Sequence, residues 1–283
     1  MTCETDREHS IPFSGNGKRE PLIDPENIWS AMCQVTGNDF SRITISHAQV
    51  EGNTKRQTHV PCEDVVFKGI TKEFLLYGLA DGQSGTQYGA AGGQACLEAI
   101  FGLISSVGIE TLIHSPFPDE LPCLFVQTIR KVLLPMANSK NTDLKEFAST
   151  LLIIAVSLKS GQYILLHLGD GYAISIPNTG DPALISKPDT GLTSRHTWLT
   201  TSDNAIPHFY VTFGSIENKK RILLVSDGAV CFCRGQHIPW RAKDLLTDGS
   251  QLQLHEYLMQ SEPLDDATYI VLDFHSTVHH SLC

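Results

Sequence analysis

The spacing of apolar residues changes several times along this chain, and each spacing predicts its own kind of element. Short apolar or alternating runs bounded by turn residues predict β-strands. These runs read SAMCQVTGN, SRITISHAQVEG, DVVFKGI, EFLLYGLA, STLLIIAVSL, QYILLHLG, YAISIP, FYVTFGS, RILLVSD and ATYIVLDF. In residues 89–107 and 118–136 apolar side chains recur every three or four positions, so both segments are predicted helices, and residues 241–259 form a third helical patch.

The links between the strand-forming runs are short and rich in turn residues. Residues 69–72, 159–161 and 169–171 each contain glycine between two apolar runs. Short links favour antiparallel neighbours, because parallel strands need long crossover connections. We therefore predict an α+β fold in which helices lie on the outer faces of antiparallel sheets, with a polar loop over residues 180–208.

Composition and charge exclude several classes of function. The chain has 283 residues, of which 41% are hydrophobic, so it can build a sizeable core. Its formal net charge of -10 argues against a nucleic-acid partner, which would need a basic face. The N-terminus, MTCETDREHS, is charged, and no uninterrupted apolar run reaches the length of about 18 residues that a membrane span needs. We expect a cytoplasmic protein without a membrane partner.

At 283 residues the chain can form one large domain or two small ones, and we favour a single domain over residues 28–275. Residues 1–27 are polar, contain several prolines and show no period, so we expect a loosely ordered leader. Residues 276–283 are expected to form a frayed tail.

Acidic residues stand directly after three strongly apolar runs. Asp81 follows FLLYGLA, Asp170 follows YILLHLG, and Asp227 follows RILLVS. An Asp-Gly pair alone is a common hairpin-turn signal, and Asp248 in LLTDGSQ is interpreted in that way. A carboxylate at the end of a buried strand is different, because its desolvation is unfavourable unless a partner or a cation compensates for it.

Two acidic pairs stand at the other ends of strands. Glu63-Asp64 precedes VVFKGI, and Asp265-Asp266 precedes TYIVLDF across one alanine. Since antiparallel neighbours place the start of one strand beside the end of the next, we expect Asp64 and Asp265 to meet Asp81 and Asp227 along one edge. Few lysines or arginines lie beside them in the sequence to neutralise such a cluster. Oxygen ligands of this kind suit Mg²⁺ or Mn²⁺, and paired divalent ions are a common device for phosphoester hydrolysis.

Six segments in order carry a family resemblance: EDVVF, LADGQSG, STLLIIAV, LHLGDGYAISI, LLVSDG and DDATYIVL. Together they span residues 63–272 and resemble the metal-dependent protein phosphatases, the type 2C serine/threonine phosphatases, and especially their compact bacterial branch. The resemblance implies a four-layer αββα sandwich, two antiparallel sheets flanked by helices, with a two-metal site at one end. It also implies that residues 28–275 are one catalytic domain.

The resemblance assigns roles to individual residues. Asp64 matches the acid that contacts one ion, Asp81 the acid that bridges both ions, and Gly82 the residue that offers its carbonyl oxygen. The full implied ligand set is Asp64, Asp81, Gly82, Asp170, Asp227 and Asp265, in which Asp170 helps to hold a third, weaker ion in many relatives. The catalytic acids that the resemblance implies, which would act through bound Mg²⁺ or Mn²⁺, are Asp64, Asp81, Asp227 and Asp265. Glu63 would act from the outer shell, through water.

The activity implied is hydrolysis of phosphoserine or phosphothreonine in proteins, by direct attack of a water that bridges two metal ions. The implied partners are a phosphoprotein substrate and a cognate kinase. Two alternatives stay open: a catalytically weak or silent relative that acts as a regulatory binding module, and a phosphatase of small molecules.

Two positions depart from the family pattern. Gln83 stands where eukaryotic members have a histidine that is a candidate proton donor, and an amide cannot titrate. His59 stands where many relatives have a phosphate-binding arginine, with Arg56 just upstream. His59 or Arg56 is therefore the candidate substrate-binding residue, beside the alternative that His59 is structural and Arg56 only solvated.

Overall fold

The computed structural model describes residues 31–33, 42–186, 188–189, 197–229 and 263–275. In chain order its helices and strands are β1 (Ala31–Cys33), β2 (Arg42–Val50), α1 (Asn53–Thr58), β3 (Asp64–Ile70), β4 (Phe74–Asp81), α2 (Gly89–Val107), α3 (Ile109–Ile113), α4 (Leu121–Lys140), β5 (Leu151–Ser157), β6 (Gln162–Leu168), β7 (Tyr172–Pro177), β8 (Ala183–Ser186), α5 (Ala205–His208), β9 (Tyr210–Ser215), β10 (Lys219–Val225) and β11 (Ala267–His275). The leader (1–27), the helical patch (241–259) and the tail (276–283) predicted from the sequence lie outside the described residues.

Two antiparallel sheets form the centre of the fold. One has the strand order β1-β2-β11-β10-β7-β8 and the other the order β3-β4-β5-β6-β9. Their facing sides share an apolar layer, to which Tyr77 and Leu79 contribute from one sheet and Ile222 and Leu272 from the other. The α+β class with two antiparallel sheets and flanking helices is confirmed.

Helices α2 and α4 cover the outer face of the β3-β4-β5-β6-β9 sheet. Helix α2 packs on β3 and β4 and against α4, and it buries Leu97, Ile100 and Ile104 at a helical spacing. By length and composition alone α2 is also apolar enough to cross a membrane, which the sequence analysis did not anticipate. Core helices of folded domains meet the same criterion.

Three local differences from the sequence prediction concern short or polar elements. Helix α1 was not predicted, because its sequence NTKRQT has no apolar stripe; the backbone N–H of Asn53 donates to the carbonyl of Pro263 at 2.8 Å and so fixes its start. Strand β8 lies within the predicted loop 180–208 and pairs with β7 at the sheet edge. The helix predicted over 118–136 begins at Leu121, after a 3₁₀ turn, and continues to Lys140.

Candidate functional site

Asp64 and Asp81 lie directly opposite each other at one end of the second sheet. Strands β3 and β4 are antiparallel, and their register pairs the first residue of β3, Asp64, with the last residue of β4, Asp81. Asp64 is only 4% exposed. Its Oδ2 accepts a hydrogen bond from Thr268 Oγ1 at 2.5 Å, whereas its buried Oδ1 has no hydrogen-bond partner among the described residues.

Asp227 is brought to the same end by the pairing of β10 with β11. The N–H of Ser226 donates to the Thr268 carbonyl at 2.9 Å, and the Thr268 N–H donates to Ser226 Oγ at 2.9 Å. These bonds fix the chain that leaves β10 beside the chain that enters β11, and therefore place Asp227 near the Asp265-Asp266 pair. Asp227 Oδ1 is a second buried carboxylate oxygen without a partner in the described part of the chain.

The turn after β4 holds Gly82 in a close approach to helix α2. Its N–H donates to the carbonyl of Glu63 at 3.1 Å. A Cβ atom at position 82 would lie 2.7 Å from the backbone nitrogen of Ala90, so only glycine fits there. Thr150 fixes Asp81 from the other side, accepting from the Asp81 N–H at 3.0 Å and donating its own N–H to the Asp81 carbonyl at 2.8 Å.

Electrostatics show that the acids share one environment. Burial raises the pKa of Asp81 well above its usual value, and the negative charges of Asp64, Asp227, Asp170 and Asp265 raise it further. Burial also raises the pKa of Asp64 to about 7 and that of Asp227 to about 6, with contributions from neighbouring carboxylates. Ionising all of these acids together is unfavourable without a compensating cation.

Lys55 supplies one positive charge at the edge of this cluster, which the sequence analysis did not foresee. Its Nζ lies 2.7 Å from Glu63 Oε2, 2.6 Å from Asp266 Oδ2 and 3.7 Å from Asp265 Oδ1. Burial opposes the ionisation of Asp266, but hydrogen bonds from Lys55 and from two backbone N–H groups outweigh it and hold the pKa of Asp266 below its usual value. The sequence shows a lysine at position 55, but only helix α1 places its ammonium group beside these acids.

A cavity of about 760 Å³ opens at this end of the molecule. Of the predicted ligands, Asp81, Gly82, Asp170 and Asp265 line it. Asp170 Oδ2 accepts from Thr197 Oγ1 at 2.5 Å. The remaining described lining residues are mostly small and polar: Gln83, Ser84, Thr86, Lys145, Glu146, Thr150, Thr197, Leu199, Thr201, Ser202 and Asp203.

The structure does not include the two candidate substrate-binding residues in the lining of this cavity. Arg56 and His59 are exposed on and after α1, and neither lines the cavity. His59 adopts a left-handed backbone conformation, φ 57°, where it ends the helix. Its position is explained by this helix end, and the substrate-binding role stays a prediction without a contact to support it.

The acidic side chains have the ligand chemistry that divalent cations prefer, but they do not form a complete coordination shell. Among the described residues, no group of three His, Cys, Asp or Glu side chains is arranged closely enough to hold a metal ion as it stands. The two unpartnered oxygens of Asp64 and Asp227 are nevertheless buried, and a buried carboxylate oxygen needs a donor or a cation. Hard oxygen ligands of this kind suit Mg²⁺ or Mn²⁺.

The profile of the family described as Protein phosphatase 2C matches residues 51–268, and the chain therefore belongs to this family. The match covers β3, β4 and β10 with the acids that follow or precede them. No curated protein matches the sequence significantly.

Solved structures with a similar fold include bacterial serine and serine/threonine phosphatases. Serine/threonine phosphatase Stp1 from Staphylococcus aureus is 14% identical with a TM-score of 0.61, over 82% of this chain and 95% of that one. The catalytic domain of the serine/threonine protein phosphatase PstP, crystallised with two manganese ions, is 19% identical with a TM-score of 0.60, over 82% and 97%. RsbX, crystallised with magnesium, is 14% identical with a TM-score of 0.56, over 88% and 100%. At these identities the similarity establishes the fold.

Proposed function

We propose that this chain is a metal-dependent serine/threonine phosphoprotein phosphatase with the ligand set inferred from the sequence. The observation that carries the proposal is the convergence of acids from separate segments, two of which keep a buried oxygen without a partner. Bound Mg²⁺ or Mn²⁺, two ions and a third at Asp170, would supply an acidified water for attack on phosphorus and stabilise charge on the phosphoryl oxygens.

The chain's own residues would act by position and charge. Thr268 holds the Asp64 side chain and Thr150 holds the Asp81 backbone, which limits the movement that either acid would need in order to bind a metal ion. Lys55 orients Glu63 and Asp266 behind them. Because Gln83 cannot titrate, the proton for the leaving group would come from water or from another residue.

Lys55 favours a second candidate function, a catalytically weak or silent regulatory module. A positive charge 3.7 Å from Asp265 already neutralises part of the cluster. A small-molecule phosphatase would use the same acids, so only the preferred substrate separates it from the leading proposal. The further proposals of a cognate kinase and a cytoplasmic location rest on sequence alone.

The test is hydrolysis of p-nitrophenyl phosphate and of a phosphothreonine peptide by the full chain in Mn²⁺. We expect turnover that a chelator abolishes and that Asp227→Asn reduces by at least about a hundredfold, with a higher kcat/KM for the peptide. The matched control is Asp119→Asn, since Asp119 is exposed and lies outside the cavity lining, and it should leave turnover unchanged. No turnover in wild type at any Mn²⁺ concentration would favour the regulatory module.

A further inference from the structure

The described lining of the acidic cavity contains one cationic side chain, Lys145. The carboxylates in the same lining are those of Asp81, Glu146, Asp170, Asp203 and Asp265. A phosphomonoester dianion that enters this cavity meets negative charge on the rim as well as at the metal ligands. Metal ions would compensate only the negative charge of the ligands that bind them. A positive side chain at the rim is therefore required to offset the repulsion between the rim carboxylates and the substrate.

The basic residues of α1 and of its C-terminal end do not line the cavity. Lys55 is buried and engaged by Glu63 and Asp266. Arg56 and His59 are exposed and do not line the cavity. Lys145 is exposed at the rim, and no described side chain accepts a hydrogen bond from its ammonium group.

The backbone around Lys145 is fixed beside the turn that follows Asp81. The Lys145 N–H donates to Asp143 Oδ1 at 2.9 Å, and the Lys145 carbonyl accepts from the Ala148 N–H at 3.1 Å. The next residue, Glu146, accepts from the Gln87 N–H through Oε2 at 2.8 Å.

A ring contact and a close packing contact hold the same turn. The Phe147 and Tyr88 rings stack at 4.9 Å, and a Cβ at Gly92 of α2 would lie 2.1 Å from the Phe147 carbonyl oxygen. The Gln83 N–H donates to the Ala148 carbonyl at 2.9 Å. The turn that carries Lys145 is thus bound to both α2 and the 82–88 segment, so these contacts hold the lysine backbone at the cavity mouth.

We propose that Lys145 binds the phosphoryl group of the substrate and takes the place of the arginine that many relatives have where this chain has His59. This inference rests on the proposed function for the identity of the substrate. The ammonium group contacts a phosphoryl oxygen directed away from the metal ligands, and because it is exposed its contribution is moderate and sensitive to salt.

The experiment measures the Kd of inorganic phosphate for the full chain in Mn²⁺ by calorimetry, and the KM and kcat for p-nitrophenyl phosphate. For Lys145→Met we expect the phosphate Kd and the KM to rise about fivefold at low salt, with kcat changed less than about twofold. Lys145→Arg should restore both. The matched control is Lys131→Met, since Lys131 is an exposed lysine of α4 outside the cavity lining.

The two proposals fail separately in this experiment. If wild type shows no turnover but Lys145→Met still weakens phosphate binding, the proposed phosphatase function is wrong and the proposed anion site is supported. If wild type hydrolyses the substrate while Lys145→Met leaves Kd and KM unchanged, the proposed role of Lys145 is wrong and the proposed phosphatase function is supported. Equal weakening by Lys131→Met, or no phosphate binding by wild type, also overturns the inference.

Discussion

Replacing Asp64 by asparagine should stabilise the metal-free protein at pH 8, although it removes a proposed metal ligand. Asp64 is 4% exposed, and its Oδ1 has no partner in the described part of the chain. Burial and nearby carboxylates raise its pKa to about 7, from a reference value of 3.8. The folded state therefore binds the proton more tightly than the unfolded state, and folding with an ionised Asp64 is unfavourable.

The magnitude follows from this difference in pKa. A gap of about three pH units corresponds to about 4 kcal/mol of lost stability once Asp64 is ionised in both states. Stability from this group is fully present below the unfolded pKa, 3.8, and is lost as the pH rises to the folded pKa of about 7. The asparagine NH₂ group would lack an acceptor, which costs about 1–3 kcal/mol. Asp64→Asn should therefore raise the free energy of unfolding by about 1–3 kcal/mol at pH 8. This difference from wild type should be about 3 kcal/mol smaller at pH 5.

The assay is urea denaturation in a chelator at both pH values, followed by tryptophan fluorescence. Asp203→Asn, which changes an exposed carboxylate in the same cavity, should differ from wild type by less than about 0.5 kcal/mol. Added Mn²⁺ should stabilise wild type, by about 2.7 kcal/mol at a hundred times its Kd, and stabilise Asp64→Asn less. The reasoning is refuted if Asp64→Asn is no more stable than wild type at pH 8 and their difference is the same at pH 5.

Three further substitutions test the surroundings of the site. Lys55→Met leaves the carboxylate of Asp266 buried and without its ammonium partner, and should lower the free energy of unfolding by about 3–5 kcal/mol; a loss below about 1 kcal/mol in urea denaturation contradicts this. Gly82→Ala places a Cβ 2.7 Å from the Ala90 nitrogen and should cost about 1–3 kcal/mol, so an unchanged Tm would exclude the close approach. Burial lowers the pKa of His167 from 6.5 to about 4, so the stability that the neutral imidazole contributes is fully present above pH 6.5. About 3 kcal/mol of it should be lost as the pH falls towards 4. A difference in stability between wild type and His167→Phe that does not vary with pH would contradict this.

The strands and the acids at their ends were predictable because both depend on local patterns. A run such as FLLYGLA is buried on both faces, and β4 occupies Phe74–Asp81 as that pattern predicts. The antiparallel pairing that joins Asp64 to Asp81 follows from the short turn between β3 and β4. The α+β class and the meeting of acids from strand starts and strand ends were therefore accessible from the sequence.

Only the tertiary structure decided which basic residues reach those acids. Lys55 contacts Asp266 across 211 positions of sequence, through a six-residue helix whose sequence has no apolar period. Lys145 reaches the cavity because its turn packs against α2, while Arg56 and His59 remain outside. Strand periodicity fixes where a backbone segment ends, but the reach of a long charged side chain depends on the orientation of elements distant in sequence. The acids of this site were therefore determined locally, and their countercharges by packing.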